Sequence, residues 1–258
     1  LLAHGKAVQV IRARAKKRPL VGAAPVGVVS APETDQPENI EAARKLMFSI
    51  TKKDLWNNTW FADPMILGKY PEDGLELFKN DMVELKPGDM ETICQPLDFY
   101  GANIYFAEFV RAGGESGYEF TKKKDGYPLT TMGWHVTPEA LYWGPKFLFE
   151  RYRLPIVITE NGMADFEWVQ LDGKVHDLKR IDFLTRYLRE FKRAMDDGVD
   201  ALGYFIWTLL DNFEWTYGYK QRFGLIYTDY QSKQRILKDS AYWYKKVIET
   251  NGAVLFDN

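Results

Sequence analysis

Ile156-Val157-Ile158-Thr159-Glu160-Asn161-Gly162 is a short β-branched apolar run that ends abruptly in a carboxylate, an amide and a glycine. A run of this length and composition reads as a buried strand, and the glycine allows a sharp exit into a loop. Glu160 is then held at the strand's C-terminal end. In parallel α/β folds that is the edge where chemistry is done. Taken alone, the stretch is better read as a strand-end acid that merely caps a loop, and what the chain places beside it reverses that preference.

On its N-terminal side, Thr137-Pro138-Glu139 opens a helix running to about Tyr152, with Thr as the cap and Pro in the first turn, and Pro155 leads into the Glu160 strand. On its C-terminal side, a turn at Asp172-Gly173 precedes an amphipathic helix from about Asp177 to Asp197 that Gly198 ends. Ala201 to Leu210 then reads as a continuous apolar strand buried on both faces. The earlier part alternates in the same way. A helix through about Lys17 precedes a strand from Leu20 to Ser30. Helical spacing follows over Glu38 to Thr51, then a further helix at Pro71 to Glu84 and a strand from Leu97 to Phe106. A last helix is expected at Asp239 to Thr250. Arg111 to Gly133 is a long Gly- and Lys-rich excursion, more in keeping with a functional rim loop than with framework.

Strand, long helix, strand, long helix is the pattern of parallel βα units. An eight-stranded barrel takes roughly 250 residues, yet only about four strands are found here because the connections are long. The expected fold is therefore α/β, half of a larger (βα)8 TIM barrel, with residues 1-258 as a single domain. The chain opens on Leu1-Leu2-Ala3-His4-Gly5 with neither an initiator Met nor a signal-peptide pattern, and is expected to begin inside a helix as a fragment.

With 46% hydrophobic and 27% charged residues the composition is that of a globular protein with material for one large core. A formal net charge of −2 gives no electrostatic footprint for nucleic acid or an anionic membrane, and no apolar run reaches spanning length. The basic run Arg12 to Arg18 reads as the solvated end of a helix. The single Cys94 excludes a disulfide framework and fixes no compartment. His4, His135 and His176 are too scattered for a metal site, so neither metal nor cofactor is expected. Aromatic residues make up 15% of the chain, including eight Trp, more than a core of this size needs. Flat aromatic faces suit the C–H faces of sugar rings, and the slightly acidic balance favours sugar over nucleobases.

The last strand exits through Trp207-Thr208-Leu209-Leu210-Asp211-Asn212-Phe213-Glu214-Trp215, and the second contributes Asn103-Ile104-Tyr105, where alternation puts Asn103 and Tyr105 on one face. Each has a structural reading: Trp207 and Trp215 as core aromatics, Tyr105 as a buried phenol, Glu214 as a solvated loop acid. Their joint appearance at successive strand ends points instead to a carbohydrate site.

These motifs, with Thr159-Glu160-Asn161-Gly162, Met132-Gly133-Trp134, Pro138, Tyr142-Trp143 and Arg222-Phe223-Gly224-Leu225, occur in the order found in glycoside hydrolase family 1. The chain resembles the C-terminal half of that family's β-glucosidase type over nearly its whole length. The resemblance implies that the chain supplies about the last four βα units. It makes Glu160 the nucleophile of a retaining hydrolase acting through a covalent glycosyl-enzyme intermediate. Tyr105 would orient that carboxylate and favour its charged form, and Asn103 would lie beside the sugar 2-hydroxyl. Trp207 resembles the platform beneath the glycone, Glu214 the carboxylate that accepts from its far hydroxyls, Trp215 an indole N–H donor and Phe223 a pocket wall. Trp134 resembles the aromatic at the aglycone entrance.

Retention needs a second carboxyl as acid/base. In this family it is the Glu of an Asn-Glu-Pro motif, absent from this sequence, and Glu214 is not its substitute. Leu1 to Arg12 resembles the helix after the strand that carries it. The resemblance thus implies a complementary N-terminal half-barrel chain as partner and negligible turnover of ordinary glycosides without it. The rival reading is a non-catalytic carbohydrate-binding or structural half-barrel. Lys220 leaves a weak opening for a phosphorylated sugar, but an unphosphorylated β-glucoside is favoured.

Overall fold

The computed structural model describes residues 1–121 and 125–257. From the amino terminus, helix α1 (Leu2–Arg14) leads to strands β1 (Gly22–Ala23) and β2 (Ser30–Pro32) and helix α2 (Pro37–Phe48). Three short helices, α3 (Thr59–Ile66), α4 (Glu72–Phe78) and α5 (Asp89–Ile93), fill the way to β3 (Phe99–Asn103). Strands β4 (Glu108–Arg111) and β5 (Glu119–Phe120) precede α6 (Ala140–Tyr152), β6 (Ile156–Asn161), α7 (Leu178–Asp196) and β7 (Ala201–Ile206). Strands β8 (Ile226–Thr228) and β9 (Arg235–Leu237) and helix α8 (Asp239–Glu249) follow. The main sheet has the order β1-β3-β6-β7, every pair parallel. That is the four-stranded βα arrangement expected, as an open arc; the described residues form no closed barrel.

Helices α6 and α7 press onto this sheet for different reasons. Nearly every side of α6 is apolar, and Ala140, Leu141, Trp143, Phe147 and Leu148 are all buried, as befits a helix enclosed by neighbours. Helix α7 is two-faced: Phe183, Leu184, Tyr187, Phe191 and Ala194 form the stripe that joins the core over the sheet, as the spacing predicts, and Leu188 packs beside it with Val247 and Leu255. Its outer face carries exposed pairs such as Arg186–Asp182.

Three sequence expectations need correction. The strand expected over Leu20 to Ser30 is two: β1 joins the main sheet, whereas β2 pairs with β4 in a separate one. Pro25 and Gly27 lie between them, where a residue without an N–H and one without a side chain break the ladder. Strand β3 stops at Asn103, after a register shift against β6 at Ala102/Asn103, so Tyr105 lies outside the strand and does not share a strand face with Asn103. Strand β7 is not buried on both faces. It ends the sheet, and Leu202 and Phe205 are 51% and 61% exposed. Of the rim excursion, residues 122–124 lie outside the described part; the remainder holds β5 and a bridge between Leu129 and His135.

The loop after β6 returns to the start of α8 through His176, whose Nδ1 lies 2.6 Å from Asp239 and Nε2 3.0 Å from Asp172. Hydrogen bonds to Asp239 and then Asp172 raise the imidazole's pKa above its ordinary value of 6.5. A raised folded-state value contributes stability fully present below pH 6.5 that is lost as pH rises through the folded value. Hydrogen exchange at Asp172 to Lys174 is expected to speed up as pH rises above 6.5 and through the raised folded value, beyond the intrinsic base-catalysed rise, and His176→Gln to abolish that excess. An identical pH response in the variant would remove this role for His176.

Candidate functional site

Glu160 stands one residue before the end of β6 and accepts a hydrogen bond from the Tyr105 hydroxyl at 2.6 Å on Oε2. Burial, then the neighbouring Glu160 charge, pushes the Tyr105 phenol well above the ordinary phenol range, so the O–H remains a donor. Three elements are stitched together at this level by the fully buried Asn161. Its Nδ2 donates to the Ile104 carbonyl at 2.8 Å, its Oδ1 accepts from the Tyr204 hydroxyl of β7 at 2.6 Å, and its carbonyl accepts from the Trp207 N–H at 2.9 Å.

The next residue explains the glycine. A Cβ on Gly162 would lie 1.9 Å from the Trp207 carbonyl oxygen, so only a residue without a side chain lets the exit of β6 pass against the exit of β7. Gly162→Ala is expected to destabilise the chain by about 1–3 kcal/mol, read as a lower urea midpoint. An unchanged midpoint would contradict this packing.

Around the carboxylate the aromatic side chains gather from distant positions. The Trp134 ring centroid is 5.0 Å from Tyr105 and 6.1 Å from Phe223, and Phe223 is 6.2 Å from Tyr105. Phe106, not singled out in the sequence, adds a further face 5.7 Å from Trp134. Exposed Asn103 accepts from the Thr159 hydroxyl at 2.6 Å. Burial pushes the Glu214 carboxyl up; Trp207 beside it opposes the rise and the Glu160 charge adds to it. Among the described residues Glu214 Oε2 is buried without a hydrogen-bond partner, an acceptor left open. The structure therefore brings Glu160, Tyr105, Trp134 and Phe223 into contact, with Asn103, Trp207 and Glu214 alongside. Trp215 it does not bring in: the residue begins a 3-10 turn, is 79% exposed and makes no ring contact among the described residues.

Behind these loops lies a buried ionic network that sequence reading missed. Arg180 pairs with Glu167 and, at 2.9 Å, with Asp177; Lys238 pairs with Glu167 and, at 3.0 Å, with Asp211; Arg222 meets Asp211 at 2.7 Å. Three cations face three carboxylates, so the cluster is neutral when fully ionised. Arg180 also donates to the carbonyls of Met163, Arg222 and Phe223, and Asp211 accepts the Gly224 N–H at 2.9 Å. The network thereby joins the exits of β6 and β7 to the segment carrying Phe223.

A carboxylate at a parallel strand's end is thus held by a phenol and walled by aromatic rings. The signature of glycosyl hydrolase family 1 matches residues 1–253, and the chain belongs to that family. It is 40% identical to beta-glucosidase A of Acetivibrio thermocellus over 98% of this chain and 56% of the relative. It is 37% identical to a bifunctional beta-D-glucosidase/beta-D-fucosidase of Bifidobacterium breve, over 98% of this chain and 56% of that one. Among solved structures it is similar to the family 1 β-glucosidase of Thermotoga maritima in complex with isofagomine lactam, with a TM-score of 0.80 and 37% identity over 96% of this chain and 55% of the other. The chain thus spans about half the length of the relatives it matches. Among the described residues no cluster of His, Cys, Asp and Glu could hold a metal ion, and no helix is long and apolar enough to cross a membrane.

Proposed function

We propose that this chain carries the nucleophile and part of the glycone site of a retaining β-glucosidase. The observation that carries the reading is the Tyr105 hydrogen bond to Glu160, which holds one carboxylate oxygen and leaves the other to react. Glu160 attacks the anomeric carbon, the glycosidic C–O bond breaks with its electron pair leaving on the aglycone oxygen, and a glycosyl ester remains until water cleaves it with net retention. Asn103 sits beside the 2-hydroxyl. Trp207 underlies the glycone, Glu214 accepts from its hydroxyls through the unpartnered Oε2, Phe223 walls the pocket and Trp134 receives the aglycone. Trp215 reaches the sugar as an indole donor once the exposed turn carrying it is covered.

The proton for the leaving group comes from an acid/base that lies outside this chain, on the remaining half of the barrel. In the relatives that half lies on the same polypeptide, of which this sequence covers 55–56%, so a separate partner chain is not supported; apolar flanks at both ends of the sheet are where that half would pack. Leu202, Phe205, Leu209 and Ile248 are exposed beside β7, and Leu20, Val26 and Leu55 are exposed on the β1 side. An acid is dispensable when the leaving group is already a good anion. The chain is therefore expected to release dinitrophenolate from 2,4-dinitrophenyl β-glucoside but not to hydrolyse cellobiose. Comparable turnover of both would mean that the acid lies within these residues, and release from neither would favour a non-catalytic carbohydrate-binding piece.

A further inference from the structure

Tyr105 is placed by something other than a strand. Strand β3 ends at Asn103 and β4 begins at Glu108, so residues 104–107 belong to no ladder, and their backbone polar groups must find partners elsewhere. Ile104 N–H donates to the Glu160 carbonyl at 2.9 Å, the Ile104 carbonyl accepts from Asn161, and Ala107 N–H donates to Thr137 Oγ1 at 2.8 Å. The remaining contact reaches in from a helix. The Tyr187 hydroxyl, in the middle of α7, donates to the Tyr105 carbonyl at 2.9 Å and accepts the Thr137 N–H at 2.9 Å.

Tyr187 is itself rigidly held. It is fully buried and stacks on Phe183 with ring centroids 3.9 Å apart and 20° between planes. Burial raises its phenol pKa far enough that the O–H remains a donor, even with the Thr137 N–H acting in the opposite sense. One oxygen thus ties α7, the entry to α6 and the Tyr105 backbone to a common point. The phenol that reaches Glu160 sits at the far end of the Tyr105 side chain, so a small backbone rotation at Tyr105 displaces its hydroxyl by more than the backbone itself moves.

We propose that Tyr187 is a positioning residue for the nucleophile: its hydroxyl fixes the Tyr105 carbonyl so that the Tyr105 phenol meets Glu160 at 2.6 Å. This rests on the reading of Glu160 as nucleophile. Tyr187 touches no substrate and acts only through Tyr105. The stack on Phe183 survives loss of the hydroxyl, so Tyr187→Phe removes one oxygen and little else.

The test is inactivation by 2,4-dinitrophenyl 2-deoxy-2-fluoro-β-glucoside, which needs attack by the nucleophile but no leaving-group acid, followed for the unsubstituted chain and three variants. Tyr187→Phe is expected to lower the limiting inactivation rate about 10- to 100-fold while leaving the half-saturating concentration within about twofold. Thr137→Val, which deletes the acceptor for Ala107 N–H, is expected to lower that rate as well. Tyr152→Phe, which removes another buried hydroxyl, bonded to Asp63 at 2.8 Å, is expected to change neither quantity. A crystal structure of Tyr187→Phe is expected to show the Tyr105 oxygen beyond about 3.5 Å from Glu160. An unchanged rate in Tyr187→Phe, or a crystal structure with the Tyr105–Glu160 bond intact, overturns the proposal. Failure of the unsubstituted chain to react counts against the nucleophile reading instead, and the Tyr187→Phe crystal structure then decides the positioning role alone.

Discussion

Arg180→Met is expected to cost about 3–5 kcal/mol of stability, the loss typical when one partner of a buried ion pair is removed. For a chain of this length that lowers the melting temperature by roughly 10 °C. The size follows from what the guanidinium holds. Asp177 keeps only its bonds from Ser240, Glu167 keeps only Lys238, and the carbonyls of Met163, Arg222 and Phe223 lose a shared donor. Burial already pushes the Glu167 carboxyl up and the Lys238 ammonium down, so removing a cation favours protonation of Glu167 as the least costly escape. Arg186→Met is the matched control: its pair with Asp182 is exposed, and its loss is expected to change stability by less than about 0.5 kcal/mol. Equal effects of the two substitutions would mean that the network is not the clamp described here.

The second large effect concerns chemistry. Glu160→Gln keeps the size of the side chain and a carbonyl oxygen for the Tyr105 bond but removes the anion proposed to attack carbon. Release of dinitrophenolate from 2,4-dinitrophenyl β-glucoside is expected to fall by more than about 1,000-fold, with the urea midpoint little changed. Glu214→Gln is expected instead to weaken binding, because the proposed role of the carboxylate with the unpartnered oxygen is to accept from sugar hydroxyls, not to bond to the sugar carbon. A variant at Glu160 that retains most of its rate would move the nucleophile elsewhere.

Which parts of this were legible in the sequence follows from how local their causes are. The Glu160 strand could be read because a β-branched run, a proline before it and a glycine after it all act within a few residues. The amphipathic stripe of α7 was equally plain, and for that reason Tyr187 was lost in it: spacing shows that a side chain is buried, never that its hydroxyl reaches a carbonyl 82 residues away. Nothing in the sequence singles out Glu167 or Lys238, and Asp211 stands out only as a member of the strand-exit motif, because partners 71 and 27 residues apart leave no local trace. Tyr105 was found, but its placement by alternation failed at the register shift beside Asn103, which depends on the pairing of β3 with β6. The exposure of β7 was misjudged because an apolar strand announces that it will be covered, not by which chain.

Peptide mapping of the chain after reaction with 2,4-dinitrophenyl 2-deoxy-2-fluoro-β-glucoside tests the central claim most directly. The account expects one fluoroglucosyl group per chain, in ester linkage to Glu160 and absent from Glu160→Gln. A label on Glu214 or any other carboxylate, or no label from an intact, folded chain, would contradict it.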